Sequence, residues 1–287
     1  HGYTLHKYGS RVLKPGIIDA GHIKDEKALS DEVTSLVKEM KIHTVKASLP
    51  EERMYLFKTE VPDTNEHQIR QNIEFKLEEN VPLSASDSIF FFDKLPAVLD
   101  AENTGKTYAS VSVAPRELVD SYLKVLQNSG LTVVSFEIQA KAIARAVVPH
   151  DATGTQLIVH IMSKKTGLYV VYNGIVCFTS TISWGGDNIK NKTSEEMSDI
   201  MFSLKKEIEK VYTYWKQRDN NNDIKSIIIS GHDAITTSQV SRLSPGNDIQ
   251  VSVANIWQNV FLYNHYIPKI TFEESLDYAI SAGLALP

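Results

Sequence analysis

The turn from Ser163 to Thr166 carries the residues that are best suited to bind an anion. An apolar run, Gln156–Met162, precedes it and is typical of a strand buried on both faces; Leu168–Tyr172 returns after it. The two hydroxyls and the ammonium groups of Lys164 and Lys165 can contact phosphate or carboxylate oxygens. Two lysines in a turn are more often simply solvated, so the motif alone is a weak signal for phosphate.

His160, inside the apolar run, could act as a base or a metal ligand. No second His, Cys or carboxylate lies near it at ligand spacing, and the other histidines are scattered. We therefore predict a hydrogen-bonded interior histidine and no metal site. Ser230-Gly231-His232 lacks the glycine that stands two residues before the serine in a nucleophile elbow. The sequence predicts no catalytic residue.

The elements around this turn predict a β-meander followed by a long helix. Asn173-Gly174 is typical of a type I′ hairpin, because both central residues of that turn need positive φ. Thr193 and Glu196 form a capping box, and the helix that it opens is expected to run to about Gln217. Ile224–Ser230 is expected to be a buried strand.

The first half alternates strands and helices in the same way. Short strands are expected within Gly2–Leu13. A strand, a helix and two further strands are predicted between residues 49 and 109, and Pro149–Gly154 is the best domain boundary. We predict a mixed α/β protein with domains 1–148 and 149–287.

Composition excludes several classes of function. A net charge of −5 argues against a nucleic-acid partner, which usually needs a basic face. No apolar run approaches the roughly 18 residues of a transmembrane helix. The single Cys177 fits a reducing compartment. No signal peptide is visible, and the start at His1 instead of Met indicates an incomplete product. A cytosolic location is expected.

A set of short motifs adds a family resemblance that covers nearly the whole chain. Its first-half motifs are Gly16-Ile17-Ile18 leading to Gly21, Ala47-Ser48-Leu49-Pro50, Val81-Pro82-Leu83 and Val113-Ala114-Pro115-Arg116. In the second half they are the meander, Gly185-Gly186, Ile229-Ser230-Gly231 and Ala282-Gly283-Leu284. By the order and spacing of these motifs, the chain resembles the PilM family of type IV pilus assembly proteins, which is related to the division protein FtsA.

The resemblance implies an actin-like (ribonuclease H-like) two-lobed fold with nucleotide between the lobes. It also implies an inserted β-α-β-β subdomain at about 49–109. The segment between Gly186 and Glu195 is short, which predicts a reduced fourth subdomain. Family members lie under the inner membrane and bind the short cytoplasmic tail of a membrane partner, PilN in the pilus system. By the same resemblance, the residues expected at a nucleotide are Ser163, Lys165, Thr166, Gly185, Gly186 and Gly231.

The nucleotide motifs of this fold are degraded in the chain. The first phosphate loop would lie before Gly2. The second, an Asp-x-Gly-type loop in the family, reads His160-Ile161-Met162, and imidazole is a poor ligand for Mg²⁺. A single glycine, Gly231, stands where paired glycines are expected. We therefore expect no cofactor, with ATP and Mg²⁺ as the alternative if the first loop exists upstream.

For the partner tail, the sequence predicts a groove between the insertion and the first-half core. It would be lined by Ile73, Glu74, Glu78 and Phe91, because PilN-like tails combine apolar anchors with a basic residue. The leading hypothesis is a scaffold that binds such a tail and stays peripheral to the membrane. Alternatives are an ATP-dependent switch or weak ATPase, and an FtsA-like filament protein, whose membrane-targeting helix is missing before Pro287. Self-association is left open.

Overall fold

The computed structural model of this chain describes residues 3–96, 106–188, 192–218, 222–231, 240–246, 249–261, 266 and 268–287. In chain order, the strands and helices are β1 (Ile18–Asp19), β2 (His22–Ile23), α1 (Glu26–Met40), β3 (Thr44–Leu49), β4 (Tyr55–Val61), α2 (Glu66–Asn80), β5 (Ser88–Lys94), β6 (Thr107–Pro115), α3 (Arg116–Asn128), β7 (Thr132–Ile138), α4 (Gln139–Val147), β8 (Thr155–Ile161), β9 (Thr166–Tyr172), β10 (Ile175–Ile182), α5 (Ser194–Arg218), β11 (Ile224–Gly231), β12 (Gln250–Val253), α6 (Phe272–Ser275) and α7 (Ala279–Ala285). The mixed α/β architecture agrees with the expectation from the sequence.

The second lobe is built on a five-stranded sheet of order β10-β9-β8-β11-β12. Strands β8, β11 and β12 are parallel, and the meander β8-β9-β10 is antiparallel. Asn173 and Gly174 both have positive φ, 47° and 81°, as the predicted hairpin requires. Because β8 and β11 are parallel, their carboxyl ends meet at one edge of the sheet, where Ile161 is opposite Gly231.

Helix α5 covers one face of this sheet with its apolar stripe. Leu204, Ile208 and Trp215 are buried against the β8 side chains Leu157 and Val159. The opposite face packs on α4 and on the segment around Trp257 and Phe261. Because α5 begins at Ser194, soon after the short segment that follows β10, the fourth subdomain is reduced, as predicted.

The insertion is a β-α-β-β unit with its own core. Strands β4 and β5 lie on either side of β6, and both are antiparallel to it. Helix α2 covers one face of this sheet with Ile69, Ile73 and Leu77, all fully buried. The other face lies towards β10 of the second lobe, where Ser110 Oγ donates a hydrogen bond to Val176 O at 2.7 Å.

The first lobe contains a parallel pair, β3 and β7, with α1 and α3 packed together beside it. The strands predicted within Gly2–Leu13 are wrong for residues 3–13, which form no strand. Scattered contacts take the place of a strand partner: Tyr3 N donates to Val260 O at 3.3 Å, and Tyr266 Oη donates to Leu5 O at 3.0 Å.

Candidate functional site

The six residues predicted for nucleotide converge at the carboxyl edge of β8 and β11. Ser163 and Lys165 belong to the turn between β8 and β9, Thr166 begins β9, and Gly231 ends β11. Gly185 and Gly186 follow β10, whose last residue pairs with Thr166. Because the three strands end together, residues far apart in sequence form one site. His232 lies outside the described residues.

The two glycine segments pack directly on the backbone of the turn. A Cβ at Gly185 would lie 2.2 Å from Met162 O and 2.5 Å from Lys165 N. A Cβ at Gly231, which has φ +90°, would lie 2.0 Å from Ile161 O. Both glycines therefore permit a close approach of backbone to backbone.

Several groups that could bind phosphate are already used by the fold. Gly186 N donates to Met162 O and Asp187 N donates to Ser163 O, each at 2.8 Å. Thr166 Oγ1 donates to Trp184 O at 2.8 Å. Only the side chains of Ser163 and its neighbour Lys164 are exposed in this turn.

Lys165 makes an ion pair across the lobes. Its Nζ lies 2.5 Å from Glu52 Oε2, and Glu52 belongs to the short turn between β3 and β4. Desolvation by burial, with a smaller effect of the same carboxylate, raises the pKa of Tyr122 to about 12. Of the two lysines in the turn, Lys165 is therefore charge-compensated by the protein's own carboxylate.

The preceding residue, Glu51, makes a second connection between the lobes. Its carboxylate accepts hydrogen bonds from Tyr169 Oη at 2.6 Å and from Ala140 N, in the first turn of α4, at 2.8 Å. Burial raises the pKa of the Glu51 carboxyl, and burial beside Glu51 raises the pKa of the Tyr169 phenol. A Cβ at Gly167 would lie 1.8 Å from the Tyr169 hydroxyl, so a glycine is needed there.

The sequence pattern did not identify Glu51, Glu52 and Tyr169 as residues of this site. Two consecutive carboxylates after Pro50, at the start of the insertion, were the available signal for the first two. Their side-chain partners, Lys165 and Tyr169, lie more than a hundred residues later in the sequence, and local patterns carry no information about such pairs.

His160 is an interior residue, as predicted. Its Nδ1 lies 3.3 Å from Ser230 Oγ, on the neighbouring strand. Desolvation by burial, with a smaller effect of Lys165, lowers the pKa of His160 to about 4. The imidazole is therefore neutral at pH 7. In the described part of the chain, no group of three or more His, Cys, Asp or Glu side chains is placed to hold a metal ion.

The four residues predicted for the partner tail do not share one groove. Phe90 and Phe92 pack with α2, so Phe91 points to the opposite face of the sheet, where Lys141 Nζ lies 5.6 Å from its ring centroid. Ile73 is fully buried inside the insertion. Glu74 and Glu78 are exposed on the outer side of α2. Strand alternation places the aromatic ring and the acidic rim on opposite faces, which corrects the predicted groove.

The boundary between the insertion and the first lobe runs between β5 and α3 and is called the crease below. Arg116 lies at this boundary, with Nε donating to Ser86 O at 3.0 Å and Nη2 donating to Ser88 O at 3.1 Å. Buried and half-buried apolar side chains pack together there: Leu49, Met54, Ile89, Leu118, Tyr122 and Phe136. Asp87, just before β5, and Glu117 and Asp120, on α3, are exposed.

None of the helices in the described ranges is both long enough and apolar enough to cross a bilayer.

Comparison with solved structures shows the same fold. The chain superposes on a protein of the "PilM-PilN type IV pilus biogenesis complex" with a TM-score of 0.77 at 17% identity, covering 96% of this chain and 89% of that one. The cytoplasmic domain of EpsL, an inner-membrane component of the Vibrio cholerae type II secretion system, gives a TM-score of 0.48 at 12% identity, covering 90% and 81%. The ethanolamine utilization protein EutJ from Carboxydothermus hydrogenoformans gives 0.46 at 15%, covering 94% and 77%. The first of these likenesses agrees with the predicted actin-like fold.

No curated protein matches the sequence. The family model described as type IV pilus assembly protein PilM matches residues 1–202. That range includes the first lobe, the insertion, the meander and the start of α5. The chain therefore belongs to the PilM family of type IV pilus assembly proteins.

Proposed function

We propose that this chain is a non-enzymatic scaffold that binds the short cytoplasmic tail of a PilN-type inner-membrane protein. The family match and the fold shared with a protein of a PilM-PilN complex support this role. Through that tail, the chain would be held at the cytoplasmic face of the inner membrane. It would link the membrane complex to the pilus machinery without entering the bilayer.

The crease between β5 and α3 is the proposed docking place, and its chemistry is the observation that carries the proposal. Ile89 and Tyr122 are half-buried in an apolar cluster, and Glu117 and Asp120 are exposed on the first turns of α3. Burial of apolar anchors supplies affinity, whereas carboxylates on the rim attract a basic residue and fix the direction of the tail. The proposed place is still between the insertion and the first lobe. Its residues, however, are not the Ile73, Glu74, Glu78 and Phe91 that were expected from the sequence.

The alternative, an ATP-dependent switch, has weaker support. Two of the contacts between the lobes, Lys165–Glu52 and Tyr169–Glu51, involve the turn and the strand where the family resemblance would place a polyphosphate. A nucleotide would have to displace a carboxylate from the only lysine of the turn that is half-buried. We therefore propose that the chain works without nucleotide.

Fluorescence anisotropy with a labelled synthetic peptide of the tail tests the proposal. The double variant Glu117→Gln/Asp120→Gln should weaken binding about fivefold to tenfold at low salt and less at high salt. The matched control is Glu74→Gln/Glu78→Gln, an equally exposed acidic pair on the other side of the insertion, which should leave the affinity unchanged. No binding by the unaltered chain would reject tail binding itself. Equal losses in both pairs would reject the crease.

A further inference from the structure

The strongest unassigned feature is a pocket on the second lobe, between the first turns of α5 and the short turn Ser241–Leu243. Its volume is about 440 Å³. The apolar part is formed by Met197, Met201 and Phe202, and Phe202 is 60% exposed although it is a large aromatic side chain. Methionine side chains adapt to an inserted ring, so this floor suits an aromatic guest.

The charged side chains that line this pocket are all cations. Lys192, Lys205 and Arg242 surround the opening, and Lys206 Nζ lies 4.4 Å from the Phe202 ring centroid. Lys192 is paired with Glu196 at 2.9 Å, and Lys205 has a looser contact with Glu209 at 4.0 Å. The pocket therefore fits an apolar group that is flanked by carboxylates.

The insertion of the same chain presents that chemistry. Phe75, on the outer side of α2, is 86% exposed, the most of any aromatic side chain in the described ranges. Glu78 and Glu79 follow it at helical spacing, and Glu74 precedes it; all three are exposed. The core-facing stripe of α2 is already complete with Ile69, Ile73 and Leu77, so the insertion's packing does not use Phe75.

We infer that a second copy of this chain inserts Phe75 into the α5 pocket, with the glutamates of α2 opposite Lys205 and Arg242. The ring is almost fully exposed in its own chain, so it does not fill that chain's own pocket. Each copy carries one ring and one pocket at different places. The contact is therefore head-to-tail and, unless it closes into a ring, lengthens by one copy at a time.

This contact goes beyond tail binding and does not use the crease between β5 and α3. It is centred on one ring and belongs to the weak, transient class of interfaces, so it forms at high local concentration. Molecules held side by side at a membrane by their partners would reach such a concentration.

Sedimentation velocity between about 10 µM and about 500 µM, a range that populates weak contacts, tests the inference. The unaltered chain should gain mass with concentration beyond a dimer. Phe75→Ala should lower the association constant by about tenfold or more, because it removes the inserted ring. Lys205→Glu/Arg242→Glu should lower it by a similar factor, because it removes the cations opposite the glutamates. The matched controls are Phe272→Ala, another exposed ring, and Lys38→Glu/Lys225→Glu, two exposed cations elsewhere; neither should change association.

Mixing the two altered proteins is the decisive measurement. Phe75→Ala keeps its pocket and Lys205→Glu/Arg242→Glu keeps its ring, so together they should form a heterodimer and nothing larger. A monomeric unaltered chain would overturn the inference. So would a mixture that stays monomeric while the unaltered chain associates, because that result indicates a symmetric interface. Both altered proteins should bind the tail peptide normally, which separates this test from that of the proposed function.

Discussion

Lys165 Nζ lies 2.5 Å from Glu52 Oε2 and joins the β8–β9 turn of the second lobe to the start of the insertion. The two side chains are 18% and 32% exposed, so solvent only partly screens the pair. With the adjacent hydrogen bond from Tyr169 to Glu51, it joins the turn predicted to contact nucleotide to two consecutive carboxylates of the first lobe. Glu52 therefore lies against the predicted anion turn.

Because Lys165 is paired with Glu52, we expect a low affinity for nucleotide. Isothermal titration of Mg-ATP should give no binding tighter than about 1 mM, because the turn's half-buried cation is neutralised and its backbone is packed by Gly185. Glu52→Gln should increase the affinity for inorganic triphosphate relative to the unaltered protein, since it frees Lys165. Micromolar ATP binding by the unaltered protein would refute the nucleotide-free proposal.

The buried His160 predicts a specific dependence of stability on pH. The unfolded chain takes up this proton near pH 6.5, whereas the folded protein takes it up only near pH 4. Stability from the neutral imidazole is therefore complete above pH 6.5 and is lost as the pH falls towards 4, by about 3 kcal/mol.

Urea unfolding at several pH values, compared with His160→Gln, isolates this contribution. The raised pKa of Glu51 gives a dependence of opposite sign, but both proteins share it, so it cancels in the difference. The free energy of unfolding of the unaltered protein, minus that of His160→Gln, should fall as the pH drops from 6.5 to 4. Above pH 7 this difference should be constant. A difference that is independent of pH would show that His160 titrates normally.

The apolar stripe of α5 is expected to dominate the stability of the second lobe. Leu204 is 1% exposed in the main core, so Leu204→Ala should lower the free energy of unfolding by about 2–5 kcal/mol. Phe202→Ala, two residues away but mostly exposed, should cost less than about 0.5 kcal/mol in dilute solution. Similar losses for both variants in denaturant melts would contradict this packing.

Gly283, in α7, gives a prediction whose sign depends on tertiary packing. In an open helix, alanine would add about 1 kcal/mol of stability. Here a Cβ would lie 1.7 Å from Ala142 O in α4, so Gly283→Ala should instead destabilise by about 1–3 kcal/mol. Gly246, with nothing within 4 Å of its added Cβ, is the control and should be nearly neutral as alanine. A stabilised Gly283→Ala protein would show that α4 and α7 are farther apart.

Local sequence determined most of the secondary structure. The Asn173-Gly174 hairpin, the capping box before α5 and the β-α-β-β order of the insertion follow from short-range periodicity and turn chemistry, which act over a few residues. The motif order also predicted which segments meet at the ends of β8 and β11. The hairpin, the capping box and the insertion depend on residues that are close together in the chain, whereas the meeting of segments at β8 and β11 was predicted from the family resemblance.

The occupation of the candidate site and the direction of Phe91 required the tertiary structure. The partner of Tyr169 is Glu51, 118 residues away, and no local pattern encodes that pair. Alternation predicts that Phe91 and its neighbours face opposite ways, but only packing shows that α2 takes Phe90 and Phe92 and leaves Phe91 to the second lobe. Long-range packing decides which face of an element is buried, because burial depends on the neighbouring elements that the fold supplies.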